Sequence, residues 1–146
     1  MLDAIRWDPE LIRRYDLAGP RYTSYPTAMQ FNSQVSPFDL LHALRESRKA
    51  LRPLSLYVHV PFCANICYYC ACNKVITKDR GRAQPYLQKL EQEIQMIACH
   101  LDPRQKVEQL HFGGGTPTFL SHDELRQLMA KLRQQFNLLD DDSGDY

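Results

Sequence analysis

Apolar and polar residues alternate from Leu54 to Val60, and this period of two predicts a β-strand that ends before Pro61. Successive side chains of a strand point to opposite faces. The apolar face, which we expect to be buried, carries Leu56, Val58 and Val60. The polar-tipped face, which we expect to look into a site, carries Ser55, Tyr57 and His59.

Two later segments show apolar residues at three- and four-residue steps, which predicts amphipathic helices with one buried stripe. The first spans about residues 84–101, and the second opens at a capping box formed by Ser121 and Glu124. Residues 107–112 between them are predicted to be a second strand. The stripes consist of Leu87, Leu90, Ile94, Ile97 and Leu101, and of Leu125, Leu128, Met129, Leu132 and Phe136.

The order of strand, helix, strand and helix predicts an α/β fold built from βαβ units around a parallel sheet. A cysteine-rich loop, residues 62–78, follows the first strand, and a glycine-rich loop, Gly113–Pro117, follows the second. Active sites of such sheets lie at the carboxyl ends of the strands. We therefore expect both loops to meet at one edge of the sheet. The acidic tail, residues 140–146, is predicted to form no element.

Before the first strand, the apolar residues show no single periodic spacing. Asp8 predicts a short capped helix through Arg14, and two prolines argue against a helix over residues 19–27. A second helix is predicted from Pro37 to about Lys49. Its apolar stripe is expected to consist of Phe38, Leu41, Leu44 and Leu51.

Composition removes several functional classes. The 146 residues have the length of one domain, and the net charge of +1 gives no electrostatic reason to expect binding to nucleic acid or to an anionic membrane. No apolar run approaches the ~20 residues needed to span a bilayer. Met1–Glu10 lacks the basic start and apolar core of a secretory signal. We therefore expect a cytoplasmic protein.

Four of the five cysteines lie between Cys63 and Cys72. A secreted disulfide scaffold usually has an even count with wider spacing, whereas clustered thiols in a reducing compartment more often bind metal or do redox chemistry. The spacing of Cys63, Cys67 and Cys70 suits three thiolates around an iron–sulfur cube, which leaves one iron open for a substrate or cofactor. On geometry alone Cys72 is a further candidate ligand, with Cys67 and Cys70 or in a set of four.

Other chemistries fit the cysteines less well. A zinc site calls for a further Cys or His pair at knuckle spacing, and the residues outside the loop form none. A thioredoxin-like pair of Cys67 and Cys70 leaves Cys63 without a role. Cys99 lies near the apolar stripe of its predicted helix, so we expect it to be a small buried hydrophobic residue.

Several segments carry a family resemblance. The cysteine spacing with Tyr69 before its last cysteine, together with Gly113–Pro117, resembles the two signatures of the radical S-adenosylmethionine superfamily. Within it, Tyr57–Cys63, Cys72–Lys74 and Pro20–Thr27 resemble the family of oxygen-independent coproporphyrinogen III oxidases. The resemblance implies the first two β/α units of a partial (β/α)-type barrel, preceded by an N-terminal extension.

The same resemblance suggests a division of the chain. We predict an N-terminal extension over residues 1–52, which is an irregular arm plus a helix, and an incomplete, truncated radical SAM barrel domain over residues 53–146. Barrels of this type run to ~250 residues. A third strand is therefore expected only after Tyr146.

The resemblance also implies an activity, that of an oxidoreductase of haem biosynthesis. It would use a 4Fe–4S cluster and two molecules of S-adenosylmethionine to decarboxylate coproporphyrinogen III oxidatively to protoporphyrinogen IX without oxygen. An unidentified electron donor and acceptor are implied, with no nucleic acid or membrane partner and a monomeric state at full length. Two alternatives stay open: a related radical enzyme such as a haem-chaperone-like protein, and an iron–sulfur-binding remnant without catalysis.

Site residues follow from the resemblance position by position. The implied cluster ligands are Cys63, Cys67 and Cys70. The implied contacts to the first S-adenosylmethionine are Tyr57 and Gly114, and those to the second are Tyr69, Gly115 and Thr116. The implied catalytic residues are His59, near the active site, and Cys72, which is required without being a ligand. We add the hypothesis that Arg21 pairs with a substrate propionate.

Overall fold

A computed structural model describes residues 7–16, 28–141 and 143–146. The chain divides into two compact units, Met1–Ser36 and Pro37–Tyr146. In the first unit, Asp8 caps helix α1 (Pro9–Tyr15), as predicted, because its carboxylate accepts hydrogen bonds from two backbone N–H groups. The expectation of an irregular segment over residues 19–27 lies outside the described residues.

A parallel sheet of three strands organises the second unit. Its order is β1 (Leu54–Val60), β4 (Lys106–Gly114) and β5 (Asn137–Leu138). Two further strands, β2 (Phe62–Cys63) and β3 (Val75–Ile76), pair in parallel within the cysteine-rich loop. The predicted α/β class with a parallel sheet is therefore confirmed.

Helices α3 (Ala83–Ala98) and α4 (His122–Gln135) pack on the apolar face of the sheet. Ser121 and Glu124 form the predicted capping box of α4. The polar-tipped face of β1 stays accessible, with the Tyr57 side chain 59% exposed. The two faces of β1 are thus divided as its alternation predicts. The shared core contains Val58, Val60, Leu87, Ile94, Leu110, Leu128 and Leu132.

Helix α2 (Pro37–Lys49) has the predicted bounds, but its predicted apolar stripe is wrong. Phe38 is 80% exposed, and Leu51 is exposed and lies beyond the helix with a φ of 47°. Only Leu44 packs, partly buried, against the core of this unit. The helix meets the core at too few positions for its whole stripe to be covered.

Cys99 is exposed, so the expectation of a buried hydrophobic residue is wrong. Helix α3 ends at Ala98, one turn earlier than its apolar pattern suggests, and Cys99 is its C-cap. The Cys99 thiol donates a hydrogen bond to the carbonyl oxygen of Met96 at 3.0 Å. Leu101 stays buried in the turn that follows the helix.

The C-terminal segment corrects the expectation of a third strand only after Tyr146, whereas the described residues of the tail, 140–141 and 143–146, form no helix or strand, as predicted. A third strand, β5, already pairs with Lys106 and Val107, and Asp145 in the tail bridges to Gln109. Backbone hydrogen bonds of 2.8 and 2.9 Å join Asp145 to the neighbouring residues of β4. The free edge of β4 offers a ladder of unpaired N–H and C=O groups, so even two residues of extended chain can pair there.

Among the described residues, none of the helices has the length and apolar character that crossing a bilayer requires.

Gln105 joins α2 to the rest of the unit. Its side chain is 1% exposed, and its carbonyl oxygen accepts from the Asp102 N–H at 2.8 Å. Its amide donates to the carbonyl of Arg52 at 2.9 Å and to the hydroxyl of Ser47 at 3.1 Å. One buried amide therefore links the end of α2, through Ser47 and Arg52, to Asp102.

We expect Gln105→Ala to lower the free energy of unfolding by about 2–3 kcal/mol, because buried polar partners lose their hydrogen bonds. Urea unfolding followed by circular dichroism measures this change. The exposed Gln134 offers a matched control, and Gln134→Ala should change stability by less than about 0.5 kcal/mol. Equal losses in both variants would contradict the role assigned to Gln105.

Candidate functional site

The cysteine-rich loop is closed at its base by the β2–β3 pair. The N–H of Val75 donates to the carbonyl of Pro61 at 2.8 Å, and the N–H of Thr77 donates to the carbonyl of Cys63 at 2.9 Å. These bonds hold the two ends of the loop together at the carboxyl end of β1. The intervening residues, 64–74, project from that edge of the sheet.

The loop carries four thiols that form no disulfide. Cys63 and Cys70 are half-buried, while Cys67 and Cys72 are exposed. A hydrogen bond of 3.1 Å from the N–H of Cys70 to the carbonyl of Cys67 closes a tight turn between two predicted ligands. In residues 7–16, 28–141 and 143–146, no three His, Cys, Asp or Glu side chains are arranged to hold a metal ion. The assignment of the ligands therefore stays a prediction.

Cys70 and Cys72 differ in their electrostatic environment. The backbone N–H of Cys72 donates to the Cys70 sulfur and lowers the pKa of the Cys70 thiol, and the charge of Lys74 acts in the same direction. The neighbouring Cys70 thiolate raises the pKa of the Cys72 thiol. The pKa values of the two thiols are therefore shifted in opposite directions.

The glycine-rich loop packs directly on the base of the cysteine-rich loop. The N–H of Gly115 donates to the carbonyl of Val60 at 2.7 Å, and that of Thr116 donates to the carbonyl of Phe62 at 2.8 Å. A Cβ atom at Gly115 would lie 2.7 Å from the Phe62 oxygen and 2.8 Å from the Cys63 sulfur. The Thr116 hydroxyl lies 3.5 Å from the same sulfur. Only a glycine permits this approach.

The two preceding glycines accommodate side chains of β1. A Cβ atom at Gly113 would lie 2.5 Å from the Tyr57 hydroxyl oxygen. Gly114 has a φ of 100°, which favours glycine, and a Cβ atom there would lie 2.8 Å from the His59 ring. The run of three glycines therefore lets the predicted site residues of both loops and of β1 come together.

The accessible face of the sheet carries a row of rings. The Tyr57 ring stacks on His111 with 5.6 Å between centroids and 17° between planes, and it lies 6.0 Å from the His59 ring. His59 also shares a 2.8 Å hydrogen bond between its Nε2 atom and the carbonyl oxygen of Asn73. His59 thereby links β1 to the cysteine-rich loop. The role of His111 escaped the sequence analysis, although its position two residues before Gly113 places it on this face.

The predicted site residues separate into two groups. Those gathered at the base of the loops are Tyr57, His59, Cys63, Gly114, Gly115 and Thr116. Tyr69 lies instead on the projecting part of the loop, with its side chain 90% exposed. Arg21 lies outside the described residues.

Aromatic packing supports the loops from below. Phe62 meets Tyr86 edge-on, with 5.5 Å between centroids, and stacks on Phe119 at 5.0 Å. The Tyr86 hydroxyl donates to the carbonyl of His59, and burial raises the pKa of that hydroxyl. Arg80 donates to the carbonyl of Phe119 at 2.7 Å. The sequence analysis missed these supporting residues because they come from four separate segments.

The donor set fits an iron–sulfur cluster. Soft thiolates are the preferred ligands of such clusters, and this loop presents unoxidised thiols at an accessible sheet edge. A Cβ atom at Gly115 would lie 2.8 Å from the Cys63 sulfur, so a second group bound beside the thiols would adjoin a position that has no side chain. The arrangement suits binding of a cluster together with a small cofactor.

Comparison with known proteins identifies close relatives. The sequence profile of the Radical SAM superfamily matches residues 57–143. The oxygen-independent coproporphyrinogen III oxidase of Pseudomonas aeruginosa is 73% identical over 146 residues, which are 100% of this chain and 32% of that protein. The protein of the same name from Mannheimia haemolytica is 48% identical over 140 residues, 96% of this chain and 94% of that protein.

A solved structure agrees with these relatives. Coproporphyrinogen III oxidase from Escherichia coli, described as a radical SAM enzyme, aligns with a TM-score of 0.72 and 44% identity, over 92% of this chain and 29% of that chain. The chain thus spans about a third of the length of the Pseudomonas aeruginosa and Escherichia coli proteins.

We expect Gly115→Ala to lower the free energy of unfolding by about 1–3 kcal/mol, because the added methyl group overlaps backbone that cannot move freely. Urea unfolding of both proteins measures the loss. Gly81→Ala is the matched control, since its Cβ atom would lie 3.1 Å from the carboxylate oxygen of Asp79, and a side-chain end needs to shift by only a few tenths of an ångström. If Gly115→Ala is no less stable than Gly81→Ala, the close packing of the two loops is not required.

Proposed function

This chain belongs to the Radical SAM superfamily and, within it, to the family of the oxygen-independent coproporphyrinogen III oxidases, and we propose that it forms the cluster-binding part of an enzyme that oxidises coproporphyrinogen III. The observation that carries the proposal is the contact between the two loops. Gly115 and Thr116 pack against Cys63 at the carboxyl end of the parallel sheet. This contact brings a thiol and glycine backbone to the place where such folds bind their ligands.

The superfamily implies a 4Fe–4S cluster and S-adenosylmethionine. We assign the cluster to Cys63, Cys67 and Cys70, whose thiols lie on one loop and form no disulfide. When bound, the cluster and S-adenosylmethionine supply an electron and carbon-centred radical chemistry that begins with removal of hydrogen from a propionate side chain. The protein binds and orients the reactants and excludes water.

We assign the first S-adenosylmethionine to the accessible face of the sheet. The His59 ring lies there beside both Tyr57 and Gly114. A second S-adenosylmethionine is assigned to the backbone of Tyr69 with Gly115 and Thr116. The support for this second site is the position of Gly115 and Thr116 against the cysteine-rich loop.

The catalytic roles rest on two residues. His59 is fixed between the Tyr57 ring and the Asn73 carbonyl, so its imidazole is oriented toward the junction of the loops. Cys72 is an exposed free thiol in the same loop as the assigned ligands. We assign it a role in the reaction other than ligation, because it stands two residues beyond the last assigned ligand in the same loop.

Further features of the whole enzyme stay predictions. These are the boundary between an N-terminal extension and a barrel domain at residues 52 and 53, a monomeric state, a cytoplasmic location, and an external electron donor and acceptor. The pairing of Arg21 with a substrate propionate also stays a prediction.

Cysteine variants test the ligand assignment. After anaerobic reconstitution, Cys67→Ser should lower iron affinity at least about tenfold, because a cluster corner loses its thiolate. Iron and sulfide analysis with electron paramagnetic resonance measures retention. Cys99→Ser, which changes an exposed thiol outside the loop, should keep the cluster. Retention in Cys72→Ser supports the assignment of three ligands, whereas loss of iron in that variant would make Cys72 a ligand.

A chimera tests the substrate. This chain would replace the matching 32% of the Pseudomonas aeruginosa relative, to which it is 73% identical. With dithionite, S-adenosylmethionine, coproporphyrinogen III and a cell extract that supplies the electron acceptor, we expect formation of 5′-deoxyadenosine, carbon dioxide and protoporphyrinogen IX. The same chimera with Cys67→Ser should lose at least about a hundredfold in rate. A chimera that binds the cluster but forms neither product would indicate iron–sulfur binding without catalysis.

A further inference from the structure

Lys74 is the last residue of the cysteine-rich loop before β3. Its half-buried side chain turns back over the loop, and its Nζ atom lies 3.4 Å from the carbonyl oxygen of Cys70 and 3.3 Å from that of Cys72. One ammonium group therefore donates to two backbone carbonyls, that of the last predicted ligand and that of Cys72. Nothing in the assigned site accounts for this cation.

The backbone on both sides of Lys74 is fixed. The carbonyl of Asn73 is bonded to His59 at 2.8 Å, and the N–H of Val75 donates to the carbonyl of Pro61 at 2.8 Å. The partners are His59 in β1 and Pro61, the residue directly after it. The backbone at Lys74 is thus anchored to the end of the sheet. Its side chain reaches from this fixed point to the carbonyls of the projecting loop.

The charge of Lys74 is not neutralised by an ion pair. Within the described ranges, the ion pairs involve Lys49, Arg104, Arg126 and Arg133 as the cations, and none includes Lys74. A single positive charge at the Cys70–Cys72 segment favours negative charge nearby. Net charge and hydrogen bonding around an iron–sulfur cluster are among the factors that set its reduction potential.

We propose that Lys74 is a positioning residue for the iron–sulfur cluster: its two hydrogen bonds hold the backbone of the Cys70–Cys72 segment, and its charge raises the reduction potential of the cluster. This inference rests on the proposed function, because it requires a cluster on Cys63, Cys67 and Cys70. Reduction adds one negative charge to the cluster, and a nearby ammonium stabilises that charged form more than the oxidised form. The consequence for the enzyme is easier acceptance of the electron that begins the reaction.

Three substitutions separate the two parts of the role. Lys74→Arg keeps the charge and the donors, Lys74→Gln keeps a donor without the charge, and Lys74→Met removes both. The exposed Lys78 is the matched control, because Lys78→Met removes an equal charge four residues away. Each protein is reconstituted anaerobically at one fixed pH. The measurements are iron and sulfide content, the midpoint potential from a titration monitored by electron paramagnetic resonance, and the change in resonance on addition of S-adenosylmethionine.

We expect Lys74→Arg and Lys78→Met to match the unsubstituted chain in iron content and midpoint potential. Lys74→Gln should retain iron but show a more negative midpoint potential, and Lys74→Met should show that shift together with lower iron content. If Lys74→Gln binds no cluster, the test is Lys74→Arg. Iron content and midpoint potential equal to those of the unsubstituted chain support the inference, and lower iron content or a shifted potential in Lys74→Arg overturns it.

The failure of this inference differs from the failure of the proposed function. An unsubstituted chain that binds no cluster, or whose cluster does not respond to S-adenosylmethionine, rejects the proposed function and the role of Lys74 with it. If the unsubstituted chain has a normal cluster and Lys74→Gln and Lys74→Met match it in both midpoint potential and iron content, only the role of Lys74 is rejected. An equal shift in Lys78→Met also rejects it, because the effect would then be one of general charge.

Discussion

The parallel pairing of β1 with β4 is the constraint on which the site depends. The register places Val60 opposite Gly114, so the loops that follow the two strands leave the sheet side by side. Burial of the apolar face under α3 and α4 stabilises this register, because a slip of one residue would turn Tyr57 and His59 into the core. The chemistry of the loops is therefore positioned by hydrophobic packing on the opposite face.

Close approach of backbone is the second feature of the site. The three successive glycines adjoin, in turn, the Tyr57 ring, the His59 ring and the base of the cysteine-rich loop. Each would meet a neighbour if it carried a side chain. The glycines thus serve the packing of the chain's own residues as well as any contact with a cofactor. His59 and Lys74 add the polar links that tie the projecting loop to the sheet.

Much of the candidate site could be predicted from local sequence patterns, and the rest could not. The cysteine spacing, the glycine run and the alternation of β1 are each contained in a short segment, so they could be recognised without tertiary information. His111 was within reach of the same reasoning, since it shares a strand face with Gly113. The support from Arg80, Tyr86 and Phe119 was beyond it, because contacts between distant segments leave no periodic signal.

The sequence by itself determined the four helices, strands β1 and β4, the parallel class of the sheet and the identity of the thiol and glycine loops, because periodicity, caps and turn residues act within a few positions of one another. Tertiary structure alone decided which apolar residues are covered. Phe38 and Cys99 stay exposed, whereas Gln105 is buried. It also decided that β5 and Asp145 pair with β4. Burial and edge pairing depend on which surfaces meet, and that is settled only when the sheet and its helices pack together.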